Sequence, residues 1–252
     1  SDTSVIRFIR KLGFKGYADF RSEMNARTAR QIDRAQPDLT PGEKYLRTLE
    51  HLGSGSLISD VSQYTLNNLQ KSYAQLDQGT VEQIVDILLR SDRKYIAGFR
   101  GTACCAQYMA SKLLFLTPHV VPILHADATA VENLLDITER DCLFLYSFPR
   151  YSEIARPLME IARESGAKVI LMTDRRTSPL ANKADVVVTA QVDGLGFTNS
   201  YVAPLSLSEV ILLSVSGRRD VTDSKRFNRI DSVMLSLIHI SETTRQAEIS
   251  YA

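Results

Sequence analysis

Two short segments gather residues that can hold an anion. The first is Gly98-Phe99-Arg100-Gly101-Thr102-Ala103 and the second is Ser147-Phe148-Pro149-Arg150-Tyr151-Ser152-Glu153. Each follows an apolar run and precedes a helical pattern, so each reads as a strand-to-helix loop. Backbone N–H groups at such a helix start attract negative charge, and the Thr102 hydroxyl adds a donor. The second loop offers Ser147, Ser152 and the Arg150 guanidinium, which binds phosphate or carboxylate through two parallel hydrogen bonds. Arg100, Gly101, Thr102, Ser147, Arg150 and Ser152 are therefore the candidate ligand-binding residues. The plainer alternative is a pair of ordinary turns with solvated arginines.

A third segment points to nucleic acid. Val5, Phe8, Ile9 and Leu12 recur at helical spacing and form one narrow apolar stripe, with Gly13 suited to close the helix. The other side carries Thr3, Ser4, Arg7, Arg10 and Lys11. Hydroxyls near a helix start with arginines along one face suit entry into a major groove and a grip on phosphates. A surface helix with a solvated basic face is the competing reading. Residues 1–34 hold eight Lys/Arg against four Asp/Glu, so the basic excess lies beside this helix although the whole chain is only +1.

Catalysis finds less support. A proton transfer between sugar carbons needs a positioned base, for which His119, His125, Glu132 and Glu153 are the candidates. The histidines flank an expected strand and read as turn or packing residues. Glu132 and Glu153 sit in helical stretches, where a carboxylate near the first turn favours the helix dipole. Three cysteines, two of them the adjacent Cys104 and Cys105, form neither a disulfide framework nor a zinc spacing. Nothing indicates a metal or a cofactor.

The elements that position these residues follow from hydrophobic period. Residues 36–42, Gln-Pro-Asp-Leu-Thr-Pro-Gly, form a turn-rich break that reads as a linker, taken as 36–43. Helices are expected near 43–52, 57–77 and 81–91. Thr80 would cap the last of these, and Val81, Ile84, Val85 and Leu88 would be its buried stripe. Short apolar runs predict strands at Lys94–Gly98, His119–Leu124, Cys142–Ser147, Lys168–Thr173 and Asp185–Ala190. Helices near 103–115, 127–135, 152–165 and 201–215 separate most of them. This alternation predicts an α/β fold, a five-stranded parallel sheet flanked by helices. A hydrophobic content of 44% is enough for a substantial core, and no apolar run reaches membrane-spanning length.

The run Ser1-Asp2-Thr3-Ser4-Val5-Ile6-Arg7-Phe8 followed by Arg10-Lys11-Leu12-Gly13-Phe14 and Gly16-Tyr17 with Phe20 resembles the helix-turn-helix of the RpiR/MurR regulators, bacterial transcription factors that respond to phosphosugars. The resemblance implies that Thr3, Ser4 and Arg7 face bases, while Arg10, Lys11 and Lys15 hold backbone phosphates. It also implies two further helices before Ser1, so residues 1–35 are expected to be a partial all-α helix-turn-helix domain.

Residues 44–234 resemble the SIS (sugar isomerase) domain that joins this helix-turn-helix in the same regulators. The matches are the Gly98–Ala103 segment, Asp141-Cys142-Leu143-Phe144-Leu145-Tyr146 running into the second loop, and Gly166-Ala167-Lys168-Val169 with Thr173-Asp174, Ser178-Pro179-Leu180 and Ala184-Asp185. Asp174 and Ser178 read as turn-capping residues at the rim of the site. Phosphosugar-binding relatives carry Gly-x-Gly-x-Ser and Ser-x-Ser-Gly-x-Thr in the two loops. Here Arg100 stands for the second glycine of the first pattern and Arg150 for the glycine of the second. Two small residues have become arginines, which favours an anionic ligand and crowds the usual phosphate cradle.

The resemblance implies a cytoplasmic DNA-binding transcriptional regulator and not an enzyme. Its partners would be operator DNA and a small anionic carbohydrate derivative, a phosphosugar or related sugar acid, bound by a homodimer or homotetramer without membrane association. An SIS-fold sugar-phosphate isomerase is the alternative. Residues 235–245 resemble a translated sequencing adapter except at Thr243, and 249–252 resemble its continuation, so 235–252 are expected to be a non-native tail.

Overall fold

The computed structural model describes residues 41–52, 57–194, 196, 198–218 and 228–233. The expected DNA contacts Thr3, Ser4, Arg7, Arg10, Lys11 and Lys15, and the tail 235–252, lie outside the described residues. The chain falls into two compact units, and the second begins at Leu57. In the first, helix α1 (Pro41–Leu52) starts inside the stretch expected to be a linker. Pro41 takes the first helical position, where its missing N–H leaves no bond unmade.

The second unit opens with α2 (Leu57–Tyr73) and α3 (Gln78–Arg90). The cap of α3 is Asp77, not Thr80. Asp77 Oδ1 accepts the Thr80 N–H at 2.8 Å and Oδ2 accepts the Thr80 hydroxyl at 2.6 Å. A carboxylate in extended backbone serves the open N–H groups better than a hydroxyl, and Thr80 becomes its partner inside the first turn. Val81, Ile84, Val85 and Leu88 are all buried, as the period requires.

From there strand and helix alternate: β1 (Lys94–Gly98), a 3-10 turn (Arg100–Thr102), α4 (Ala103–Leu116), β2 (Val120–Ile123), α5 (Ala128–Glu132), β3 (Cys142–Tyr146), α6 (Ala155–Glu164), β4 (Lys168–Thr173), β5 (Val186–Thr189) and α7 (Val202–Gly217). The five strands form one parallel sheet in the order β2-β1-β3-β4-β5. Every residue of β1 and β3 is buried, the mark of strands covered on both faces.

Alternation along the strands builds two cores. Ile96, Phe144, Tyr146, Ile170 and Met172 face α3, α4 and α7, whereas Tyr95, Ala97, Leu143, Leu145 and Leu171 face α6 and the α5 region. Each fully buried aliphatic or aromatic chain here contributes on the order of 1.5–3 kcal/mol by leaving water. α2 is tied to the exit of β5, because Asn68 Nδ2 donates to the Asp193 carbonyl at 2.6 Å and Gln191 N–H donates to Ser72 Oγ at 2.8 Å. Among the described residues no helix is long and apolar enough to cross a membrane.

Candidate functional site

The strand order decides where a ligand can sit. From β1 the chain crosses by α4 on one face to β2, then returns through the α5 region on the other face to β3 beside β1. The connections leaving β1 and β3 therefore part toward opposite faces and open a crevice at the carboxyl edge, the switch point of an open α/β sheet. Gly98 and Tyr146 are paired in register, so both loops start at one level. Arg100, Gly101 and Thr102 lie on one side of this crevice, and Ser147, Arg150 and Ser152 on the other.

Both arginines are solvent-exposed and both have left-handed backbone, φ 57° at Arg100 and φ 67° at Arg150. This conformation is costly for any side chain with a Cβ and persists only where the surroundings impose it. Thr102 is buried, and its hydroxyl is engaged within its own loop. It accepts the Phe99 N–H at 2.8 Å and donates to the Phe99 carbonyl at 2.9 Å. Ser147 is 4% exposed, and its Oγ, like that of buried Ser178, has no hydrogen-bond partner among the described residues. Such orphans are uncommon in folded proteins and invite an outside partner. Ser152 is half-buried and precedes α6, its carbonyl accepting the Ala155 N–H at 3.1 Å.

Neighbouring groups frame the crevice. The Tyr151 hydroxyl donates to Asp174 Oδ1 at 2.7 Å and ties the β3 loop to the β4 loop. Burial first, and the Asp174 carboxylate second, push the Tyr151 phenol above its ordinary range. Arg175 Nε stands 3.6 Å from Asp174 Oδ2. Tyr201, just before α7, lies edge-on to Phe148 with ring centres 6.0 Å apart. Asn199 Nδ2 donates to the Pro149 carbonyl at 3.4 Å. Cavities among the described residues lie elsewhere. One of about 470 Å³ opens at the amino edge of the sheet beside Lys94 and His119. Another, of about 500 Å³, lies between α4 and α7 beside Phe115 and Leu213. Neither is lined by Arg100 or Arg150.

Residues 87–214 match the SIS domain family. The chain belongs to the SIS domain family. It is also similar, at 23% identity over 91% of its length and 80% of the relative, to an uncharacterized HTH-type transcriptional regulator of Haemophilus influenzae. The HTH-type regulator YbbH of Bacillus subtilis is 22% identical over 94% of this chain and 82% of its own. Among solved structures, the sugar isomerase domain of the RpiR transcription factor of Sphaerobacter thermophilus superposes with a TM-score of 0.67 at 22% identity, covering 70% of this chain and 99% of that one. The Vibrio vulnificus NanR protein complexed with ManNAc-6P gives 0.61 at 18% identity, over 95% of this chain and 82% of that one. These structures share the fold.

The SIS domain brings all six expected ligand residues to one edge of its sheet. Tyr201 and Asn199 were not foreseen, because they arrive from beyond β5 and no local pattern marks them. His119 sits at the amino end of β2, on the opposite edge from Arg100 and Arg150. Among the described residues no group of three or more His, Cys, Asp and Glu could hold a metal.

Proposed function

We propose that this protein is a DNA-binding transcriptional regulator whose SIS domain senses a small anionic carbohydrate derivative, a phosphosugar or related sugar acid. The observation that carries the reading is the pair of left-handed arginines on the two loops of the switch point, with the unpartnered Ser147 hydroxyl beside them. Arg100, Gly101, Thr102, Ser147, Arg150 and Ser152 would form the ligand site, with Thr102 acting through the shape of its turn. Thr3, Ser4 and Arg7 would read operator bases while Arg10, Lys11 and Lys15 grip phosphates. Ligand binding would shift the equilibrium between arrangements of paired DNA-binding domains and so change operator affinity. A homodimer fits this reading, and the exposed Ile58, Val61 and Leu66 of α2 offer apolar surface for it.

The test is thermal denaturation of the full chain with sugar phosphates, amino-sugar phosphates and sugar acids, inorganic phosphate serving as control. A responsive wild type whose response is lost in both Arg100→Ala and Arg150→Ala supports the site. A response that survives both substitutions places the ligand elsewhere. Turnover of a ligand that binds would favour the isomerase reading instead.

A further inference from the structure

We propose that Tyr201 closes the first loop to phosphoryl groups, so that the site selects a carboxylate-bearing sugar acid over a sugar phosphate. The proposal rests on the anion-sensing reading of this site and narrows it. A phosphoryl group at a helix start is held by converging backbone N–H groups and hydroxyls, which match its three strong acceptor oxygens. The first loop turns three of its N–H groups and its hydroxyl inward, and the Tyr201 ring covers Gly101 between them. Phe99 N–H is bonded to Thr102 Oγ1 at 2.8 Å, Thr102 N–H to the Phe99 carbonyl at 3.1 Å, and Ala103 N–H to the Arg100 carbonyl. The Thr102 hydroxyl proton is also bonded, to the Phe99 carbonyl.

The space above the loop is filled as well. A Cβ built on Gly101 would stand 2.8 Å from both Cε2 and Oη of Tyr201, so the ring edge lies directly on the glycine. The same ring meets Phe148 of the second loop edge-on. Asn199 holds the approach to α7 against Pro149. Tyr201 thus bridges the two sides of the crevice at the place where a phosphoryl group would meet the backbone.

The two guanidiniums are exposed, and the buried Ser147 hydroxyl has no partner among the described residues, so a shift of its loop would be needed for it to meet a ligand. A guanidinium edge holds a carboxylate or a phosphate with two parallel hydrogen bonds, but the planar carboxylate is then satisfied, whereas a phosphoryl group also calls on the backbone that Tyr201 covers. Ser147 then has capacity for a hydroxyl of the sugar chain. The chemistry is that of an unphosphorylated aldonate or uronate.

Isothermal titration of the full chain decides the matter, with a panel of aldonates and uronates set against hexose and amino-sugar 6-phosphates. The wild type is expected to bind at least one sugar acid about tenfold or more tightly than any phosphate ester, and Tyr201→Ala should erase that preference by admitting the esters. Tyr201→Phe keeps the ring and should keep the preference, which covers the case of an unstable alanine variant. A wild type that binds a sugar phosphate as well as the acids overturns the proposal, as does a folded Tyr201→Ala with unchanged selectivity. A wild type indifferent to every compound overturns the anion-sensing reading itself.

Discussion

Arg100 and Arg150 hold the same left-handed backbone conformation on the loops that leave the adjacent strands β1 and β3. Both positions are glycine in the loop patterns that this sequence resembles. A backbone conformation that favours glycine here carries a long cation. For an ordinary side chain that conformation costs roughly 1–2 kcal/mol, and glycine gives back about 0.5–1 kcal/mol of it in lost flexibility. Arg150→Gly should therefore stabilise the fold by roughly 0.5–1 kcal/mol in urea denaturation, whereas Arg150→Ala should not. Equal effects from the two variants would show that φ is not the source of strain. Both variants should lose the ligand response.

Gly101 is held small by Tyr201. Gly101→Ala puts a methyl group 2.8 Å from the ring and should destabilise by roughly 1–3 kcal/mol. Adding Tyr201→Ala should recover part of that loss, so the double variant should be more stable than the two single effects predict. Strict additivity in a double-mutant cycle would deny the contact.

Two serines of similar burial should respond in opposite ways. The Tyr146 hydroxyl and Ser208 Oγ share a buried hydrogen bond of 2.7 Å. Ser208→Ala leaves the phenol without that partner and should cost about 1–3 kcal/mol. Ser147 Oγ has no partner, so Ser147→Ala removes an unsatisfied group and should be neutral or slightly stabilising in the free protein. Under the proposed function the same change should weaken ligand binding, measured by titration.

Alkali should unfold the SIS domain in a window set partly by Cys142. Burial pushes this thiol up from 9.0 to about 11, with the Ser91 hydroxyl and the Lys94 charge acting the other way. Between those values the unfolded thiol has released its proton and the folded one has not. The unfolded state then binds fewer protons, so rising pH favours unfolding, by up to about 1.4 kcal/mol per unit from this group. Buried Tyr146, whose phenol is also raised by burial, extends the loss to higher pH. Cys142→Ala should lose less stability than the wild type between pH 8 and 10.5 in chemical denaturation. Parallel losses would assign the alkaline limb to other groups.

The two sheet faces should be comparably sensitive to truncation. Phe144 and Leu145 are neighbours on β3, both fully buried, and they point into different cores. Phe144→Ala should cost about 3–5 kcal/mol and Leu145→Ala about 2–5 kcal/mol in denaturant unfolding. A near-neutral result at either position would mean that its face is loosely packed.

The sequence by itself determined the strands and most helices, because burial on a sheet or a helix imposes a period that one segment displays alone. Lys94–Gly98 and Lys168–Thr173 are the clearest cases, with observed limits equal to those expected. The loop positions of Arg100, Ser147 and Arg150 were legible too, since each follows an apolar run that forms a strand. Hydroxyl partners were not: Thr80 and Thr102 were read as cap and ligand donor, but each hydroxyl is engaged by a group three residues earlier. That choice depends on local backbone angles, which residue type does not specify. Tertiary structure alone brought Tyr201 onto Gly101, one hundred positions away, and left Ser147 buried without a partner. Contacts of this kind arise from how helices cross a sheet, and no spacing along the chain encodes them.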